Sequence, residues 1–185
     1  FRKRGMLEPV INALDLLSDQ MAVKLNVIGP IRIPELEALL DRPYVVLHGA
    51  RSAAELAATL RENHVFIHSQ LNDNCPNAVL EAISSGLPVV GFDSGAMSEL
   101  CYFSKELLVE VSDDIFQVYD DFDHKKLAEI IILVRDRYDY YREQARLNAH
   151  LYPFEECGNK YVNVFDTQLE LVTPRKSFLQ RIFNI

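Results

Sequence analysis

Between Met6 and Ala149 short β-branched runs alternate with stretches of helical periodicity, a pattern that predicts a parallel sheet covered on both faces. The apolar runs place strands at Lys24 to Ile28 (KLNVI), Tyr44 to His48 (YVVLH), Val65 to His68 (VFIH), Leu87 to Gly91 (LPVVG) and Leu107 to Glu110 (LLVE). Gly29-Pro30 closes the first of them. Helices are expected at Leu7 to Ser18, Pro34 to Leu40, Ala53 to Glu62 and Pro76 to Ser85. Pro34 stands where a first helical residue needs no N–H. Ser52 and Glu55, three residues apart, form a capping box for the third helix. Each interval between strands fits one βαβ unit, and five strands are too few to close a barrel, so the expected fold is α/β: a single Rossmann-like domain with an open parallel sheet and helices on both faces.

Downstream, Asp123 to Asn148 reads as one long amphipathic helix with Leu127, Ile130, Ile131, Val134 and Tyr138 on one face. A further helix is expected from Glu155 to Leu171, ended by Pro174 before the tail RKSFLQRIFNI. Residues 1–150 are thus assigned to the Rossmann-like domain, and 151–185 to a helix and tail packing on it.

Composition narrows the function. In 185 residues, 49% of them hydrophobic, 19 basic side chains face 27 acidic ones. That size suits one core, and the net charge of -8 argues against a general nucleic-acid binder. Cys75, Cys101 and Cys157 follow neither zinc nor disulfide spacing, which favours a reduced, cytoplasmic setting. No apolar run reaches the roughly 18 residues needed to span a bilayer, and no signal peptide opens the chain. The chain starts at Phe1, as a piece of a longer protein would.

In an open α/β sheet, ligands lie beyond the carboxyl ends of the strands. There the polar loop Gln70 to Asn74 is followed by Pro76, expected as the first helical residue, and by Asn77, whose free amide suits a phosphate. Helical spacing puts Asn77, Glu81 and Ser84 or Ser85 on one face, and turns Ala78, Val79, Ala82 and Ile83 to the core. A carboxylate only accepts hydrogen bonds, so Glu81 is suited to two adjacent hydroxyls; it is equally suited to a solvated helix face, and Asp73 to a turn or cap. The histidines show no H-E-x-x-H spacing, and there is no G-x-S-x-G elbow.

The pattern D-N-C-P-N-A-V-L-E-A-x-x-x-G-L-P-V-V, followed by D-S-G-A-M-S-E-L, resembles the signature of the group 1 family of retaining, GT-B-fold glycosyltransferases. Weaker matches flank it: Arg2-Lys3-Arg4-Gly5-Met6 is similar to the family's K-G segment, VVLHGARSAAELAATLRENHVFIHS to its strand, glycine loop, helix and strand, and the closing helices to its own. The resemblance implies the C-terminal, donor-binding domain of an enzyme that transfers a sugar from a nucleoside-diphosphate sugar with retention of configuration. The enzyme would use neither metal nor cofactor, in keeping with the absence of a D-x-D motif.

Carried over residue by residue, Glu81 would hold the ribose hydroxyls and Asp73 the transferred sugar. Asp73 stands where glutamate is usual, one methylene shorter. Asn74, Cys75 and Asn77 would surround the sugar and pyrophosphate. Arg4 or Lys3 would stabilise the leaving diphosphate. Gly49, Ala50 and Arg51 would approach the base; Gly95 and Glu99 match a G-G-x-x-E loop in which Ala96 replaces the second glycine. The resemblance further implies an acceptor-binding domain and a first strand ahead of Phe1, a setting in cell-surface polysaccharide assembly, and little transfer by the isolated chain. The tail from Arg175 to Phe183 either packs on the domain or touches a membrane surface. Two other readings stay open: a GT-B nucleotide-sugar epimerase, against which the A-x-x-x-G-L-P-V-V context speaks, and a non-catalytic nucleotide-sugar-binding module.

Overall fold

The computed structural model describes residues 7–31, 34–111, 122–151, 159–165 and 167. They belong to two compact units, Phe1–His150 and Leu151–Ile185. In the second unit residues 159–165 are helical, within the span expected for the closing helix, and the side chains there are exposed; the rest of that span and the tail lie outside the described residues.

The first unit alternates helix and strand in the order α1 (Leu7–Ser18), β1 (Leu25–Ile28), α2 (Pro34–Leu39), β2 (Val45–Gly49), α3 (Ala53–Glu62), β3 (Phe66–His68), α4 (Asn77–Ser84), β4 (Val89–Asp93), α5 (Met97–Leu100), a 3-10 segment (Tyr102–Leu107), β5 (Leu108–Glu110), α6 (His124–Asp136) and α7 (Tyr138–Asn148). All pairings are parallel, and helices cover both sides. β4 shows why. Val90 and Phe92 join Val109 in a core with Val10, Leu14 and Leu17 of α1 and Leu127, Ile131 and Val134 of α6; Val89 turns the other way, to Val79, Ala82 and Ile83 of α4, Leu60 of α3 and Met97 of α5. The period of two sends alternate residues to two helical layers, so the strand reads as one apolar run.

The sheet is in two pieces. β1 pairs β2, with Leu25 opposite Val45 and Asn26 opposite Val46, while β3, β4 and β5 form a separate three-stranded sheet. The pieces are held together by helices. Asp15 of α1 accepts a 2.6 Å hydrogen bond from the Tyr44 hydroxyl and pairs with Arg42 at 3.2 Å, just ahead of β2. α1 also packs along α6, on the other piece. Burial and the Asp15 carboxylate keep the Tyr44 phenol protonated well above its ordinary range.

Local signals account for most element ends. The Ser52 hydroxyl accepts from Glu55 N while Glu55 accepts from Ser52 N, completing the capping box. Pro34 is the first residue of α2, as expected. α4 closes in a Schellman motif: Gly86 at φ +75° donates to the Ile83 carbonyl and Leu87 to that of Ala82. This is the physical reason for glycine in the E-A-x-x-x-G stretch.

Three expectations are corrected. The helix expected over Asp123 to Asn148 breaks at Arg137, whose backbone (φ -123°, ψ 34°) leaves the helical region. The break turns α7 onto α4 and buries Tyr141 and Ala145. Pro76 is the N-cap of α4, in extended conformation, so the helix starts at Asn77. Ala78 is exposed, because it falls on the outer side of the first turn.

Phe92 is fully buried and meets Phe122 edge to face at 5.0 Å. Phe92→Ala is expected to lower stability by about 3–5 kcal/mol, read as a lower urea midpoint with an unchanged slope.

Candidate functional site

The site begins at the carboxyl end of β3. There the chain leaves His68 and runs through Ser69 and Gln70 to a loop that rests on the turn after β4. Two backbone approaches fix that loop. The Asp73 carbonyl accepts from Ala96 N at 3.0 Å, and a Cβ on Gly95 (φ +62°) would overlap the Asp73 carbonyl oxygen. Beside them the buried Ser94 hydroxyl accepts from Asn72 N at 2.9 Å and reaches Asn72 Oδ1 at 3.2 Å, with Asn72 in the left-handed region at φ +54°. The two conspicuous sequence motifs, D-N-C-P and D-S-G-A, are thus parts of one backbone lock.

The lock holds Asp73 beside the start of α4. Its carboxylate accepts from Cys75 N at 3.2 Å, so that amide is already used within the loop. The cap of α4 has no side-chain hydrogen bond, and Val79 N turns back to the Pro76 carbonyl. The amides of Asn77 and Ala78 are left without a partner among the described residues, at the positive end of the helix. Glu81, one turn on, is exposed on the same side as Asn77.

A cavity of about 780 Å³ gathers these groups. Asp73, Cys75, Asn77 and Glu81 line it together with His68, Ser69, Gln70 and Ala78. Its inner part runs between β1 and β3, under α1 and α3. The other expected residues lie elsewhere. Asn74 is exposed and outside the lining; so are Gly95, which serves the lock, and Glu99, whose N–H donates to Ala96. Gly49 ends β2 and Ala50 and Arg51 follow it, all outside the lining. Arg51 pairs with Glu55 at 3.3 Å and donates to His48 Nδ1 at 3.2 Å; His48 Nε2 in turn donates to Asn26 at 2.8 Å. Lys3 and Arg4 lie outside the described residues.

Sequence reasoning missed two parts of the site. Asn72 lies just ahead of D-N-C-P and Ser94 inside D-S-G-A, but neither is assigned a role by those motifs; the positive φ of Asn72 and the burial of Ser94 mark them. His68 was expected to be a strand-end residue, and it does end β3; what the sequence hides is that it is only 5% exposed and that its Nε2 has no partner among the described residues. Burial holds its pKa below the ordinary 6.5, with the Asp73 charge acting in the opposite direction. Cys101, by contrast, is buried under α5 with its thiol pushed up to about 12, mainly by desolvation, so it is no nucleophile.

With this geometry in view, comparison with known proteins is direct. A family profile described as "Glycosyl transferases group 1" matches residues 3–132. The chain belongs to the group 1 glycosyl transferases. A curated relative, the GDP-mannose-dependent alpha-mannosyltransferase of Mycobacterium tuberculosis (strain CDC 1551 / Oshkosh), is 29% identical over 139 residues, 74% of this chain and 34% of the relative. The group 1 chain therefore spans about a third of the length of that relative. Among solved structures, the GtfA/B complex superposes with a TM-score of 0.73 at 16% identity, covering 90% of this chain and 34% of the other. The pneumococcal O-GlcNAc transferase GtfA, solved with UDP and GlcNAc, gives 0.67 at 21% identity, covering 88% and 32%. WaaG, a glycosyltransferase involved in lipopolysaccharide biosynthesis, gives 0.67 at 18% identity, covering 87% and 43%. At these identities the structures establish the fold, that of one Rossmann-like half of a GT-B glycosyltransferase.

Two outcomes test the site's construction. Gly95→Ala is expected to cost roughly 1–3 kcal/mol and to loosen the Asp73 loop, visible as faster amide exchange at residues 72–76. The depressed pKa of His68 means that the unfolded chain binds the proton more readily. Its contribution leaves stability whole above about pH 6.5 and lowers it as pH falls below that value. Urea midpoints measured from pH 7.5 to 5 are expected to fall less for His68→Gln than for the parent chain.

Proposed function

We propose that this chain is the donor-binding domain of a retaining glycosyltransferase and that the cavity mouth takes the diphosphate and sugar of a nucleoside-diphosphate sugar. One observation carries the reading: Asp73 and Glu81 line a single cavity on either side of a helix start whose first two amides are unpartnered. Oriented N–H groups at a helix start bind phosphate oxygens without a metal. Glu81, one turn along the helix, meets the ribose that follows the diphosphate, its two oxygens accepting from the vicinal hydroxyls. Asp73, on the other side of the amides, accepts from hydroxyls of the sugar to be transferred. Asn77 positions the pyrophosphate between them.

In the reaction the bond between the sugar C1 and the diphosphate oxygen breaks, the nucleoside diphosphate leaves with the electron pair, and an acceptor hydroxyl forms the new bond on the same face as its O–H bond breaks, the proton passing to the leaving diphosphate. Charge grows on the leaving oxygens, so donors aimed there act most in the transition state. Arg4 or Lys3 supplies that charge. The acceptor is brought by another domain, and the isolated chain binds donor with little transfer. The names of the relatives support a nucleotide-sugar donor: one is GDP-mannose-dependent, and another was solved with UDP and GlcNAc. They name two different bases, so donor identity is a matter for titration.

Calorimetric titration of GDP, UDP and ADP and their sugars is expected to show binding of at least one diphosphate. Glu81→Ala is expected to weaken it by roughly 1–3 kcal/mol, about 5- to 150-fold in Kd, with thermal stability unchanged. Equal binding by mutant and parent, or no binding by any diphosphate, would overturn the assignment.

A further inference from the structure

One residue at the cavity mouth has no part in the donor contacts described above. His68 ends β3, and the period of two turns it the same way as Phe66, which packs in the layer of α3, α4 and α5, whereas Ile67 turns to α1 and α6. Its partner across the sheet is Gly91 of β4, where a Cβ would come within 3.3 Å of the His68 Cβ and 2.6 Å of its carbonyl oxygen. The glycine leaves that face of the sheet to the imidazole. The ring thus lies in the layer of α4, at the end of the strands where that helix starts, and lines the cavity with Asp73, Cys75, Asn77 and Glu81. It is buried, and its Nε2 is enclosed without a hydrogen-bond partner among the described residues.

The charges around the ring are one-sided. The loop after β3 brings Asp73 and Cys75, α4 brings Glu81, and Asp93 stands at the end of β4; α3 turns Leu56 and Leu60 to this layer, and α5 turns Met97. The titratable groups among these are all acids, and the charge that acts on His68 is that of Asp73. Among the described residues of the lining, Lys24 and His64 stand ahead of β1 and β3, at the amino ends of the strands, and there is no arginine. A diphosphate seated on the amides of Asn77 and Ala78 would therefore add negative charge between two carboxylates, with only the partial charge of the helix start to meet it. His68 can supply a full charge there by taking one proton, since imidazole titrates near neutral pH.

Given the donor assignment above, on which this rests, we propose that His68 is the positioning residue for Asp73 and charges with the ligand: seating a diphosphate at the start of α4 draws one proton from the solvent onto the ring, and the imidazolium donates to Asp73 Oδ2. In the free chain, burial without a partner keeps the ring neutral. In the complex the charge of the ligand joins that of Asp73, and the two together outweigh desolvation. The acid is then held from two sides, by Cys75 N at Oδ1 and by the ring at Oδ2, and its remaining lone pairs still accept from sugar hydroxyls. The complex holds the proton at a pH where the free chain has lost it. Affinity therefore rises as pH falls through the interval between the two states and levels off below the free value, which lies under 6.5.

GDP-mannose and UDP-N-acetylglucosamine are the probes, because their phosphates are diesters without the second ionisation near pH 6 of a terminal phosphate. Calorimetric titration in buffers of different ionisation enthalpy is expected to show uptake of roughly half to one proton per ligand at pH 7, and affinity that tightens by up to about tenfold per unit from pH 8 to 6. His68→Gln, still polar but with no charged form, is expected to lose the uptake and flatten the profile. A second readout needs no variant: the Cε1–H signal of the His68 ring in the parent chain is expected to move toward the imidazolium position as ligand saturates it at pH 7. No uptake, uptake that persists in His68→Gln, or a ring that stays neutral in the saturated chain would overturn the proposal; persistence would assign the proton to Asp73 or Glu81. Those outcomes leave the donor assignment standing, whereas failure of both sugar nucleotides to bind overturns the two together.

Discussion

The close passage of two backbone segments, at Asp73 and at Gly95-Ala96, is the constraint on which the site depends. β3 and β4 are adjacent parallel strands, so the loops that leave their carboxyl ends would ordinarily diverge into separate helices. Here they are pressed together until only glycine fits, and a main-chain hydrogen bond from Ala96 to Asp73 closes the contact. A hydrogen bond of this kind contributes about 1 kcal/mol net, less than the cost of ordering a loop of several residues. It suffices because Ser94, held buried at the end of β4, adds a second link to Asn72. The acid is therefore placed by the backbone, and its side chain keeps one oxygen free while the other accepts from Cys75. α4 begins immediately afterwards, so the same lock orients the unpartnered amides of Asn77 and Ala78 and, one turn further, Glu81.

Much of this architecture is written in the chain at short range. Strand and helix types follow from apolar period, and the ends of α2, α3 and α4 from Pro34, the Ser52–Glu55 pair and Gly86, because each of these depends on neighbours within a few residues. The break at Arg137 was hidden for the opposite reason. Leu127, Ile131, Val134, Tyr138, Tyr141 and Ala145 keep helical spacing straight across it, so the apolar stripe carries no mark of a change in direction. What marks it lies elsewhere in the fold: α4 offers a surface that α7 reaches only by turning, and Arg137 lays its guanidinium over the Tyr140 ring at 4.5 Å. Pro76 shows a subtler limit, since a proline is equally at home at the cap and at the first helical position, and one residue decides which amides remain free.

The expected site divided along the same line. Asp73, Cys75, Asn77 and Glu81 meet in one cavity because they lie on one loop and one helix turn. Gly49 to Arg51 lie at the end of β2, which pairs only with β1 among the described strands, and there Arg51 is tied into a polar chain through His48, Asn26 and Asn63 to the end of α3. That chain settles a tautomer: Arg51 donates to His48 Nδ1, so the proton of a neutral His48 is on Nε2, where it meets the Asn26 carbonyl oxygen. The linked groups join the end of β2 to Asn26 and Asn63 in the cavity lining.

His68 brings the sheet and the site to one residue. It ends β3 and lines the cavity, and its ring lies near enough to Asp73 for their charges to interact. A buried ring nitrogen without a partner is costly in an otherwise well-satisfied interior, where such groups are nearly always paired. In the neutral state that burial favours, the imidazole has one donor and one acceptor. An apolar strand thus ends in a histidine directly behind Asp73. Burial disfavours the charged form of the ring, and Asp73 lines the cavity in front of it with one side-chain oxygen accepting from Cys75 N.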